Sequence, residues 1–290
     1  MPCVARHPLL VLLVLMLAFA PATATAQKAP ANGAPIRVLF VGNSLTYTNN
    51  LPRMVRAIAA SQTGGPVIET ATYAIPGAEL DDLWDEGHAA AALREGDWDV
   101  VVLQERGGLL SCVARSTRDP ECRRSDGAHR RFSELAGERG ARVLLLMTWP
   151  PSRGNDLGNG VQLRKRAERL TDAYRLVATR LGGGGREVAV VPAAATLYRF
   201  AGNRPAEEVL VDGIHPSVSS SLVMAAQLYQ AISGREARPA DLLIDFPLLP
   251  ANAMITPDKP MELQAQIAGD GSRVLLKAEA LASFYTAARE

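Results

Sequence analysis

Five short runs of apolar, largely β-branched residues punctuate the chain, at 36–41, 67–73, 99–103, 142–147 and 188–191. Most are too uniformly apolar to have a solvent face, which is the pattern of strands buried on both sides. Between them the period changes to that of a helix. Leu51, Met54, Val55, Ile58 and Ala59 fall on one helical face, an Ala-rich pattern covers 80–93, and a further helix is expected over 161–181, ended by Gly182–Gly185. Another is expected over 217–232, just after Pro216. Strands alternating with helices predict an α/β protein with a central five-stranded parallel sheet in a three-layer α/β/α sandwich. The four-glycine run is not a phosphate loop, because it follows a helix instead of opening one.

The two ends and one internal stretch depart from this rhythm. The first 26 residues contain no acidic residue, and an unbroken apolar run of 12 residues covers 9–20. That run is too short to cross the roughly 30 Å hydrocarbon core of a bilayer as a helix. With Ala24-Thr25-Ala26 after it, segment 1–26 reads as a cleaved secretory signal, and 27–35 as a flexible leader. Export to the periplasm or the exterior is therefore expected, with no stable membrane anchor after cleavage. The main domain is expected over 36–238, and 239–290 as a C-terminal extension packed on it, with a strand or hairpin and then a helix. Segment 107–131 shows no clear period and is dense in Arg, so it is read as a surface insertion.

Composition adds exclusions. Of 290 residues, 48% are hydrophobic and 21% charged, with a formal net charge of +1. That balance suits a globular protein and excludes a nucleic-acid binder relying on counterion release. Cys3 is expected to leave with the signal, and Cys112 and Cys122 to form a disulfide that staples the insertion. No zinc site is expected, because no second cysteine pair or close histidine pair accompanies them. The sequence assigns no oligomeric state.

Ligands of open α/β sheets bind at the carboxyl ends of the strands. Those ends carry Gly42-Asn43-Ser44-Leu45, Pro76-Gly77, Gln104-Glu105 and Thr148-Trp149, and a later loop reads Asp212-Gly213-Ile214-His215-Pro216. A serine hydroxyl needs a base within hydrogen-bond reach to act as a nucleophile. Of the four histidines, His7 lies in the signal, His88 in a helical pattern and His129 in the basic stretch, so His215 is the candidate base. Asp212 is close enough in sequence to turn back onto its imidazole. Taken singly, these residues also fit bland roles: Asn43 or Ser44 as a helix cap, Asp212 as a turn former, Gln104 as a buried structural amide.

Together and in this order the segments resemble the SGNH, or GDSL-type, serine hydrolases, in a divergent branch with Gly-Asn-Ser-Leu and Leu-Gln-Glu motifs. The resemblance covers roughly 36–232 and implies a flavodoxin-like fold. It implies Ser44 as nucleophile, His215 and Asp212 completing a triad, and an oxyanion hole from the Ser44 and Gly77 N–H groups. Gln104 stands where the family has an Asn donor and is expected to supply the third oxyanion donor through its side-chain amide. Asn43, Glu105 and Trp149 are expected to shape the edge of the site. The activity implied is hydrolysis of small carboxylic esters, O-acetyl groups on carbohydrate first, with a small-molecule or glycan ester as substrate, no nucleic acid as partner and no metal or cofactor. A glycan O-acyltransferase with the same site and a non-catalytic glycan-binding protein on the same fold are the alternatives.

Overall fold

A computed structural model describes residues 33–113, 118–152, 160–202, 204–267, 269, 271 and 273–289. The expected signal and most of the leader lie outside the described residues. Five strands, β1 (Ile36–Gly42), β2 (Ile68–Ala74), β3 (Val100–Leu103), β4 (Arg142–Leu146) and β5 (Val188–Val191), form one sheet in the order β2-β1-β3-β4-β5. Every pairing in it is parallel. Val38–Val41 and Val100–Leu103 are almost wholly buried, as their uninterrupted apolar character requires.

Helices cover both sides of the sheet. α1 (Ser44–Tyr47) and α2 (Leu51–Ser61) follow β1, and α3 (Leu80–Glu86) and α4 (His88–Glu95) follow β2. α5 (Leu110–Val113) and α6 (Pro120–Glu138) connect β3 to β4, and α7 (Gly160–Leu181) connects β4 to β5. α8 (Ala193–Ala201) and α9 (Val218–Ser233) come after β5. α2 packs against α9, whereas α3 and α4 pack against α6. The strand order reverses direction between β1 and β3, so the crevice of this fold opens beyond the ends of those two strands.

Three sequence expectations need correction. The helix expected over 80–93 is two helices, because Gly87 adopts φ +92° and closes α3 in a left-handed turn. Segment 107–131 is not a surface insertion. From Pro120 onward it is the first part of α6, the crossover helix between β3 and β4, whose inner face buries Cys122, Ser125, Ala128, His129 and Phe132. That stripe is helical in spacing but poor in large aliphatic residues, and Arg123, Arg124, Arg130 and Arg131 mask it. Cys112 and Cys122 are bonded as expected, yet the bridge ties α5 to this core helix. Third, α8 is absent from the elements expected above, and all its residues except Arg199 are buried.

The C-terminal extension pairs β6 (Leu242–Ile244) antiparallel with β7 (Val274–Leu276), and α10 (Ala278–Arg289) packs on α9 and α8. Leu249, Ile255, Met261 and Ile267 form a small second core with Tyr47 and Ala74, beside α1 and the edge strand β2. There Glu262 accepts hydrogen bonds from the Thr72 N–H and the hydroxyls of Thr70 and Thr72, each at 2.8 Å. An exposed strand edge is a template for unwanted pairing, and the extension occupies part of this one.

Candidate active site

The turn after β1 is held by polar groups that have little freedom. Gly42 admits no side chain, since a Cβ would strike the Thr46 hydroxyl and the Gln104 amide. Asn43 caps α1 by accepting the Leu45 N–H at 3.1 Å, donates Nδ2 to Ala78 O at 2.8 Å, and donates its own N–H to Gln104 Oε1 at 2.9 Å. Through its side chain and its backbone N–H, Asn43 thereby joins the segments that follow β1, β2 and β3.

Ser44 is the next residue and is 8% exposed. Its Oγ lies 2.9 Å from His215 Nε2, and His215 Nδ1 lies 2.7 Å from Asp212 Oδ2. A carboxylate can only accept, so Nδ1 carries the proton and the Nε2 lone pair faces the serine hydroxyl. Asp212 Oδ1 accepts the N–H groups of Ile214 and His215 at 2.9 and 2.7 Å. Burial pushes the Asp212 carboxyl up, but those bonds and the one from the imidazole outweigh it and hold it below the usual carboxylate range. The arrangement can draw the proton from Ser44 and stabilise the imidazolium that results.

The loop carrying His215 is closed by its own backbone hydrogen bonds. It closes as a tight hairpin, with the Val211 N–H on His215 O and the Ser217 N–H on Val209 O, both at 2.9 Å, and turns at Gly213 with φ +77°. Trp149 Nε1 donates to Ile214 O at 2.8 Å, and the Ser152 N–H donates to Gly213 O at 2.8 Å. The loop after β4 therefore buttresses the loop that holds the base.

Gly77 is exposed, with φ +72°, and sits one residue before the Ala78 carbonyl that Asn43 holds. The N–H groups of Ser44 and Gly77 take no side-chain or loop-carbonyl acceptor among the described residues. Gln104 behaves differently from the expectation. It is 1% exposed, its Oε1 accepts the Asn43 N–H and the Thr46 hydroxyl at 2.9 and 2.8 Å, and its Nε2 donates to Glu105 O at 2.7 Å. Its Oε1 is committed to the nucleophile turn and its Nε2 is buried against Glu105 O, so the structure gives no support to the oxyanion-donor role expected for it.

Glu105 and Trp149 also support the site from behind, at 1% and 2% exposure. Glu105 Oε1 accepts the Leu80 and Arg106 N–H groups at 3.2 and 2.7 Å, and Oε2 accepts the Ser125 hydroxyl at 2.7 Å. His129 donates Nδ1 to Ser125 O at 2.7 Å, 3.9 Å from that carboxylate, and is part of the same buried knot. The knot joins the end of β3 to the starts of α3 and α6. Among the described residues no group of three or more His, Cys, Asp or Glu side chains could hold a metal ion. A cavity of about 880 Å³ opens between α5 and α7, lined in part by Leu109, Pro150, Pro151, Leu170 and Leu176; neither Ser44 nor His215 lines it.

No protein-family model matches the chain, and no curated protein matches it by sequence. Solved structures do match. A catalytic mutant of Axe2, an acetylxylan esterase from Geobacillus stearothermophilus, superposes with a TM-score of 0.51 at 14% identity, covering 70% of this chain and 96% of its own. A second catalytic mutant of that esterase gives 0.50 at 14% identity, covering 69% and 95%. A DUF4886 family protein from Bacteroides uniformis gives 0.49 at 16% identity, covering 70% and 84%. At such identities the likeness is one of fold, and the fold is that of the SGNH-type hydrolases.

Proposed function

We propose that the protein is a serine esterase that hydrolyses small carboxylic esters, with O-acetyl groups on carbohydrate as the first substrate class. The observation that carries this is the unbroken line from Ser44 Oγ through the His215 imidazole to Asp212, with contacts of 2.9 and 2.7 Å. The fold shared with an acetylxylan esterase supports the choice of ester. Ser44 Oγ attacks the ester carbonyl while His215 Nε2 takes its proton, and the negative charge moves to the carbonyl oxygen, facing the Ser44 and Gly77 N–H groups. The C–O bond to the alcohol then breaks, His215 returns the proton to the leaving oxygen, and an acyl group remains on Ser44. Water repeats the sequence in reverse and releases the carboxylic acid. We place the protein in the periplasm or outside the cell, with 1–26 removed as a signal. The Cys112–Cys122 bridge is compatible with an oxidising compartment.

Covalent labelling by an organophosphonate, read by intact mass, tests the nucleophile. One adduct is expected on the wild type and none on Ser44→Ala, with hydrolysis of p-nitrophenyl acetate lost in the same variant. A wild type that neither labels nor hydrolyses ends the esterase reading and leaves a binding protein on this fold. A panel of acyl chain lengths and acetylated sugars then tests the substrate class, with short acyl groups expected to be cleaved fastest. Transfer to a glycan acceptor faster than hydrolysis would make the protein an acyltransferase.

A further inference from the structure

Asn49 is five residues beyond Ser44, in the short turn that links α1 to α2, and it holds an uncommon backbone. Both Asn49 and Asn50 have positive φ, +57° and +56°, and they are the only non-glycine residues that do so among those described. Asparagine tolerates this region better than most residues, yet two in succession are unusual, and Asn49 is 9% exposed. The turn is held there by contacts that reach far along the chain. Asn49 Nδ2 donates to Pro216 O at 2.9 Å and to Ser221 Oγ at 3.0 Å, and the Asn49 N–H donates to Leu249 O at 2.8 Å.

Pro216 is bonded directly to His215. The amide of Asn49 therefore grips the chain one residue from the base, while its own backbone continues the segment that begins at Ser44. We propose that Asn49 is a positioning residue that sets the Ser44–His215 register, an inference that rests on the esterase reading of the same site. Trp149 and Ser152 hold the His215 loop from the β4 side through Ile214 O and Gly213 O, at 2.8 Å each. Among the described residues, neither hydrogen-bonds to the nucleophile segment. Asn49 supplies, among the described residues, the hydrogen bond from that segment to the loop besides the one between Ser44 and His215 themselves. Leu249 ties the same turn to the C-terminal extension, so the clasp is braced from a third direction.

Asn49→Gly keeps the left-handed backbone and removes the amide. Asn49→Asp keeps the shape and sets an acceptor against the Pro216 carbonyl. In both, kcat for p-nitrophenyl acetate should fall roughly 10- to 100-fold with KM within about twofold, since a displacement of about 1 Å between reacting groups costs on that order. Ser221→Ala removes the second acceptor of the amide and leaves the first, and its kcat should stay within about twofold of wild type. Ring ¹⁵N shifts of His215 supply a readout that needs no turnover. They should move in both Asn49 variants toward the values of Ser44→Ala, in which Nε2 has lost its partner. Folded Asn49 variants with wild-type kcat and wild-type His215 shifts would overturn the proposal. A wild type without esterase activity would remove the reaction, and the ring shifts would still decide whether Asn49 sets the register.

Discussion

The ends of β1 and β3 lie side by side at the crevice of the sheet, and each carries polar residues where an apolar strand stops. At β1 the turn leaves Ser44 with a hydroxyl aimed at His215 and, among the described residues, an N–H that no loop acceptor takes. At β3, Gln104 and Glu105 spend their side chains on backbone and hydroxyl groups, and both are 1% exposed. Similar positions thus divide the labour, one presenting reactive groups and the other holding them. What separates the two roles is access and commitment together, because a side chain that is 1% exposed and bonded inside the protein offers little to a substrate.

The largest effects should follow from breaking the presenting end. Ser44→Ala or His215→Ala is expected to cost roughly 10⁶ in kcat and Asp212→Asn roughly 10⁴. Unfolding free energy should fall by only about 1 kcal/mol for each, since the His215 and Asp212 side chains are 15% and 47% exposed and water can replace a lost partner there. Steady-state kinetics together with urea denaturation measure both quantities. A triad variant that loses several kcal/mol of stability would blur the division.

Glu105→Ala should show the reverse balance. It strands the N–H groups of Leu80 and Arg106 and the Ser125 hydroxyl, and unmet buried groups cost about 1–3 kcal/mol apiece. A loss of roughly 3–5 kcal/mol is expected, seen as a fall in Tm of about 10 °C, with kcat reduced by far less than in the triad variants. An unchanged Tm with a collapsed kcat would place Glu105 on the presenting side.

Gln104→Ala probes the line between the two. Loss of the acceptor for the Asn43 N–H and the Thr46 hydroxyl should cost about 2 kcal/mol and loosen the serine turn, so stability and kcat fall together. An oxyanion donor would behave otherwise. Its loss would lower kcat by roughly 10²–10³ with Tm unmoved, and that result would restore to Gln104 the part suggested by its place in the motif.

Sequence carried the presenting end well and the holding end poorly. Asp212 and His215 are three residues apart, their geometry is local, and their residue types have few other uses at a strand-end loop. The five strands were legible for a similar reason, since uniformly apolar runs allow little but a sheet covered on both faces. α6 was not, because its buried stripe includes Ser125, Ala128 and His129, small or polar residues that bury well only beside particular neighbours. The direction of the Gln104 side chain depends on Asn43 and Thr46, about 60 residues away. Trp149 on Ile214 and Asn49 on Pro216 span 65 and 167 residues. Contacts of that range are set by the assembled fold, and residue type alone does not announce them.

The smallest expected effect compares two carboxylates that also fall on opposite sides of this division. Asp212 accepts from the His215 imidazole, while Glu262 accepts from Thr70 and Thr72 on β2. Both accept hydrogen bonds, yet the balance differs: the bonds prevail over burial at Asp212, whereas at Glu262 burial prevails over the bonds from Thr72 and Thr70 and pushes the carboxyl up. The signs of their linkage are therefore opposite. Asp212 binds its proton more weakly in the folded state, so its contribution is present above the ordinary carboxylate value and is lost as pH falls through its lowered pKa. Glu262 binds its proton more tightly when folded, so stability declines as pH rises from the ordinary carboxylate value through its raised pKa. Unfolding free energies across the acid range should show Asp212→Asn removing stability near neutrality and flattening the acid side. Glu262→Gln should flatten the descent above the ordinary carboxylate value, with kcat unchanged. A Glu262→Gln protein whose stability still declines over that stretch as the wild type does would show that hydrogen bonding governs Glu262 as well, and the two carboxylates would no longer differ in kind.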